Sequence, residues 1–109
     1  DNEYLNEHDL QNSIRLRLSQ LGFAVFRTNV GKVKMQDGRW FDTGLPKGFS
    51  DLLAVKNGKA YFIECKVKPN KPTPEQVNFI EQMKNKYGCA AGVAYSVEDA
   101  ERICNETVL

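Results

Sequence analysis

The stretch DLLAVKNGKAYFIECK, residues 51–66, decides how the rest of the chain is read. Two apolar runs flank Asn57-Gly58, the strongest short-range signal for a two-residue β-hairpin turn. Such a turn sets Lys56 opposite Lys59, and each residue before it faces the one equally far beyond it. Asp51 then faces Glu64, with Cα atoms roughly 4.5–5.5 Å apart. Lys66 follows two residues later on the same face. Two carboxylates so placed repel by roughly 3–4 kcal/mol at an effective dielectric of about 20. A fold keeps them together only with a shared proton, a nearby cation or a bound metal. Hard dications favour carboxylate oxygens, and Mg²⁺ often takes one or two protein carboxylates and completes its shell with water and substrate phosphate. Asp51 and Glu64 therefore read as a metal seat with Lys66 at its edge. The alternative is an exposed hairpin whose charges are solvated, with Lys66 simply neutralising Glu64.

The hairpin is apolar on both faces. Leu53, Val55, Ala60 and Phe62 share the side of the charges, and Leu52, Ala54, Tyr61, Ile63 and Cys65 form the other. Strands apolar on both sides belong in the middle of a layered fold. The two carboxylates are thus expected at the end of interior strands, which weighs against the solvated alternative.

The 109 residues fit one domain, and 41% hydrophobic residues fit a globular chain with a core. No apolar run approaches the roughly 18 residues of a membrane span. Cys65, Cys89 and Cys104 form no CxxC pair. Their spacing matches neither a zinc knuckle nor a disulfide framework, and they read as small core residues in a reducing cytosol. The net charge is only +1, but it is unevenly spread. Residues 1–26 and 87–109 are acidic, whereas residues 27–86 hold twelve Lys and Arg against six acids. A basic surface around an acidic pocket suits a phosphate backbone brought to a metal; ordinary solvated lysines are the plainer reading of the same count.

Leu10, Ile14, Leu18 and Leu21 recur at helical spacing, which predicts a first helix over residues 4–21, ended by Gly22. Residues 23–28 read as a strand. Residues 32–34 and 39–41 read as a second hairpin turning at Asp37-Gly38. Gly44, Pro46 and Gly48 break the chain into a loop before Asp51. Thr73-Pro74-Glu75-Gln76 opens a second helix, with Thr at the N-cap, Pro next and Gln at the third position. Val77, Ile80, Met83 and Tyr87 are its expected inner stripe, and Gly88 its end. Residues 90–95 make a short strand in which Gly92 implies close contact. Ser96 caps a final helix to about Asn105. The core order is a helix, three strands, a helix, a strand and a helix, an α/β arrangement with a mixed sheet flanked by helices.

Asp51 followed by Glu64-Cys65-Lys66 resembles the D…ExK core of the PD-(D/E)xK nuclease superfamily. Across nearly its whole length the chain is similar to the VRR-NUC family. The resemblance is carried by Glu7 with Gln11, Arg27-Thr28-Asn29 with Gly31, Gly48-Phe49-Ser50-Asp51-Leu52, and Thr73-Pro74-Glu75-Gln76. It departs from the family at Ser50, where a proline usually precedes the aspartate; that proline shapes the loop and binds no metal.

The resemblance implies a restriction-endonuclease-like αβββαβα core in a single domain, residues 1–109, that hydrolyses DNA phosphodiester bonds with Mg²⁺ or Mn²⁺. Asp51 and Glu64 would hold the metal, joined by the Cys65 carbonyl and by Glu7 from the first helix, with Glu3 as the alternative acid. Lys66 would orient the attacking water or neutralise developing charge. Gln76 would contact that water or the nucleic acid, although a capping box wants Gln there in any case, just as the first helical turn favours an acid such as Glu7. Arg27, Lys32, Lys34 and Lys68 are the expected phosphate contacts. Trp40 and Phe41 would stack on exposed bases, pack in the core or meet a second copy. The sole histidine, His8, is expected on the exposed side of the first helix. Stand-alone members of this kind act as homodimers on branched, Holliday-junction-like DNA, in phages and prophages and hence in a bacterial cytoplasm. A module of the same fold that binds nucleic acid without cutting is the alternative function, and a protein whose sheet docks onto another protein is a more distant one.

Overall fold

Asn57 and Gly58 both take positive φ, 53° and 76°, as the tight turn requires. The pairing follows from it. Strand β4 (Leu52–Lys56) meets β5 (Lys59–Cys65) antiparallel, from Lys56 opposite Lys59 to Leu52 opposite Ile63. The computed structural model describes residues 4–28 and 30–105. Around this hairpin lie α1 (Glu7–Gln20), β1 (Ala24–Arg27), β2 (Lys32–Lys34), β3 (Trp40–Asp42), α2 (Pro74–Asn85), β6 (Ala90–Ala94) and α3 (Val97–Asn105).

The main sheet has the order β1-β4-β5-β6. β1 and β4 are antiparallel and β5 and β6 parallel, so the sheet is mixed and the 51–66 hairpin is central, as expected. One face carries the dry core. Leu52, Ala54, Ile63 and Cys65 pack there against Leu10, Ile14 and Leu18 of α1 and Ala100, Ile103 and Cys104 of α3. Gly92 makes this approach possible, because a Cβ there would stand 3.0 Å from the Ile103 side chain. The opposite face carries Phe62, whose ring forms a three-way cluster with Phe49 and with Phe79 of α2, centroids 4.6–5.8 Å apart. Helices therefore flank both faces. The β2–β3 pair forms a separate two-stranded ribbon.

Several expectations need correction. α1 begins at Glu7, because the Asn6 side chain accepts from the Asp9 N–H and caps the helix. The inner side of α2 carries the half-buried Gln76, Phe79, Ile80 and Met83, while Val77 and, just beyond the helix, Tyr87 face solvent. Helical periodicity placed Ile80 and Met83 correctly, but Gln76 and Phe79 take the inner positions expected of Val77 and Tyr87, because Gln76 reaches Glu64 and Phe79 packs on Phe62. β3 starts at Trp40, one residue late, because Arg39 closes the turn with Asp37. Cys65 and Cys104 are core residues, but Cys89 is only partly buried. Trp40 and Phe41 are not core: both are more than half exposed. Ser96 caps α3 as expected, its hydroxyl accepting from the Asp99 N–H.

Residues 46–49 are held against the first turn of α2 by Gly48. This glycine has φ +95°, and a Cβ on it would lie 2.5 Å from the Glu75 carbonyl oxygen. Gly48→Ala forces both a left-handed alanine, which costs roughly 1–2 kcal/mol, and displacement of the α2 backbone. A loss of about 2 kcal/mol or more is expected in urea unfolding; a change below about 0.5 kcal/mol would show that this contact does not matter.

Candidate metal and phosphate site

Asp51 sits in the bend just before β4, and it continues the register of the ladder. Its backbone carbonyl accepts from the Thr28 N–H at 2.9 Å, extending the β1–β4 pairing. Its side chain takes over where backbone pairing with β5 ends: Oδ2 accepts from the Cys65 N–H at 3.0 Å. Ser50 stabilises the same bend. Its buried hydroxyl donates to the Leu52 carbonyl at 3.1 Å, and its own carbonyl accepts from the Thr28 hydroxyl.

Glu64 lies near the end of β5, only 1% exposed. Two cationic or amide groups serve its Oε2. Gln76 Nε2 donates to it at 3.0 Å, and Lys66 Nζ stands 3.9 Å away. Its Oε1 is buried without a hydrogen-bond partner. Leaving a buried acceptor unsatisfied costs on the order of 1–3 kcal/mol, more for a charged one. Burial raises the Glu64 pKa to about 9, reinforced by the adjacent Asp51 carboxylate, while Lys66 pulls it down and Glu7 pushes it up. The neighbouring Cys65 thiol is held protonated well above its ordinary range, chiefly by burial and then by Asp51 and Glu64.

These observations fit a hard dication. The donors are carboxylate oxygens, one buried oxygen lacks a partner, and the pair holds too much negative charge unless it is protonated or neutralised. Among the described residues no three His, Cys, Asp and Glu side chains form a metal-holding group. Asp51 and Glu64 would thus act with the Cys65 carbonyl and non-protein oxygens. Glu7, partly buried at the start of α1, is near enough to affect Glu64 electrostatically but does not complete a three-carboxylate cluster.

Gln76 serves two partners at once. Its Oε1 accepts from the Thr73 N–H at 2.9 Å while its Nε2 donates to Glu64. The Thr73 hydroxyl accepts from the Gln76 N–H. Capping α2 and holding the carboxylate are one arrangement, because a capping Gln still has a free amide nitrogen.

The expected phosphate contacts are spread around this centre. Arg27 ends β1, and its guanidinium Nη2 is tied to α1 by His8 Nδ1 at 3.2 Å and Asn12 Oδ1 at 3.1 Å. Lys68 is exposed two residues after Lys66, and Lys32 and Lys34 are exposed on the β2–β3 ribbon. Glu3 and Asn29 lie outside the described residues. Sequence reasoning missed the anchoring role of Asn12, which no local pattern marks. It also missed Gly48 and Phe49 as the contacts that seat α2, although both fall within the GFSD segment. Among the described residues no helix is long and apolar enough to cross a membrane.

Protonation of Glu64 carries a linked prediction. The folded chain keeps this proton up to about pH 9, whereas the unfolded chain releases it near 4.5. Between those values the folded state binds more protons, so the metal-free protein loses stability as pH rises. Thermal melts in chelator from about pH 5 to pH 8 should show a falling midpoint, and Glu64→Gln should flatten it. Parallel pH profiles for the two proteins would contradict this account.

No protein-family model and no curated protein matches the chain. Among solved structures, it is similar to a chain described as a VRR_NUC domain, with a TM-score of 0.65 and 24% identity, over 92% of this chain and 95% of the other. At this identity the likeness is one of fold over most of both chains. The chain has the fold of a VRR-NUC domain.

Proposed function

We propose that the protein is a metal-dependent endonuclease that hydrolyses DNA phosphodiester bonds, with a preference for branched or Holliday-junction-like DNA. The observation that carries this reading is the buried Glu64 carboxyl, set against Asp51 with one oxygen unpartnered and flanked by Lys66 and Gln76. The likeness to a solved VRR_NUC domain supports it.

Mg²⁺ or Mn²⁺, when bound, would supply an acidified water and positive charge for the phosphate. Asp51 and Glu64 would hold that ion, with the Cys65 carbonyl as a further oxygen ligand. Gln76 fixes the Glu64 carboxyl so that its second oxygen stays turned to the site. The Lys66 ammonium, largely shielded at 12% exposure, offsets negative charge that builds on the phosphate. Arg27, pre-oriented by His8 and Asn12, and the exposed Lys32, Lys34 and Lys68 hold the flanking phosphates. Two copies acting as a homodimer place paired sites on a symmetric junction. The setting that fits is a phage or prophage protein in a bacterial cytoplasm.

Cleavage of junction, flap and plain duplex DNA with Mg²⁺, Mn²⁺ or chelator tests the reading. Glu64→Ala should abolish turnover with the fold retained, and metal-dependent cutting by this variant would remove the assignment. Lys66→Ala should lower turnover about 100-fold with little change in metal affinity; calorimetry showing the reverse would make Lys66 structural only. Light scattering should give a dimeric mass, and a monomer that still resolves junctions contradicts the paired-site arrangement.

A further inference from the structure

Between Thr28 and Ser50 the chain leaves the main sheet and builds the β2–β3 ribbon, of which the proposed chemistry uses only two lysines. Both ends of this excursion are fastened at the carboxylate end of the sheet. The Thr28 N–H donates to the Asp51 carbonyl and its hydroxyl to the Ser50 carbonyl. Gly31 closes the base of the ribbon by accepting from the Thr43 N–H at 2.9 Å. Two residues lie between Thr28 and Gly31, so three steps of chain join them, a reach of at most about 10 Å. The ribbon therefore springs from the rim of the Asp51–Glu64 site.

Its register sorts the side chains. Lys34 pairs with Trp40 and Lys32 with Asp42, which puts these four on one face; Val33 and Phe41 share the other. Trp40 is 64% exposed, and among the described residues no other ring stacks on it. The Asp42 carboxylate is turned to its own loop, accepting from the Gly44 N–H at 2.9 Å. On this face, then, an uncovered indole lies directly across from one lysine and diagonal to another. Arg39 is paired with Asp37 in the turn. A flat aromatic surface with cations beside it suits an unpaired nucleobase and its flanking phosphates, because every base has a π face and the backbone supplies the negative charge. Bases within a duplex are already stacked on both sides and offer Trp40 no such face.

We propose that Trp40 is a stacking platform for an unpaired base of the DNA, with Lys32 and Lys34 on the adjoining phosphates, so that the ribbon selects strands with exposed bases next to the cleavage centre. This rests on the nuclease reading and narrows its branched substrates to those that carry unpaired bases, such as flaps and splayed ends, over fully paired junctions.

Trp40 is the sole tryptophan, so its emission reports on this face alone. The test titrates the intact chain in chelator with a short oligodeoxythymidine and with a duplex of equal length, following tryptophan emission and the anisotropy of labelled DNA. Single-stranded DNA should quench Trp40 in a salt-sensitive way. Trp40→Ala should weaken that binding about ten-fold and leave duplex affinity nearly unchanged, while Trp40→Phe should retain most of it. Equal single-strand affinity for Trp40→Ala, or anisotropy-detected binding without quenching, overturns the proposal. So does emission that shifts with protein concentration and not with DNA, which would assign Trp40 to a contact between copies. Cleavage by the wild type with no binding defect in Trp40→Ala defeats the stacking proposal alone. Quenching without cleavage of any substrate defeats the nuclease reading alone.

Discussion

Repulsion between the Asp51 and Glu64 carboxylates is the constraint around which this structure is arranged. Two acids at the open end of a buried hairpin, away from its turn, destabilise a fold unless a proton or a cation lies with them. The chain nonetheless invests several separate devices in keeping them there. The Asn57-Gly58 turn sets the register, and the Ser50 and Thr28 hydrogen bonds hold the bend at Asp51. The Cys65 N–H fixes one Asp51 oxygen, and Gln76 fixes one Glu64 oxygen. The remaining Glu64 oxygen is buried with no donor. A polar arrangement that is so well supported and still incomplete is what a site awaiting a ligand looks like.

The seat depends on contacts far from it in sequence. Gly48 has no side chain to hold α2 away, so the helix start comes close to the loop, and the Phe49–Phe62–Phe79 cluster then clamps helix, loop and strand together. That packing delivers Gln76 to Glu64. On the other face, Gly92 lets α3 press onto β6 and completes the dry layer beneath the site. Substrate selection is placed elsewhere, on the exposed ribbon rooted beside Asp51, where solvent access is an advantage and burial would be a hindrance.

Much of this was legible in the chain because it depends on local rules. A two-residue turn imposes a register by arithmetic, and so Asp51, Glu64 and Lys66 were identifiable together. Thr73 and Ser96 announce helix starts through side-chain acceptors, and Gly92 announces close packing. What was not legible depends on tertiary phase. The apolar residues of α2 allow two rotations about the helix axis, and only Gln76 reaching Glu64 and Phe79 reaching Phe62 select the real one. The tie between Arg27, His8 and Asn12 joins residues on two elements with no pattern in common. The start of α1 fell two to three residues inside the apolar period because Asn6 is a better cap than Tyr4.

Manganese binding to the purified chain, followed by titration calorimetry near neutral pH, tests the convergence of the two carboxylates most directly. The wild type should show saturable binding that is lost in both Asp51→Asn and Glu64→Gln while each variant stays folded. Undiminished binding in either variant, or none in the wild type, would contradict the account.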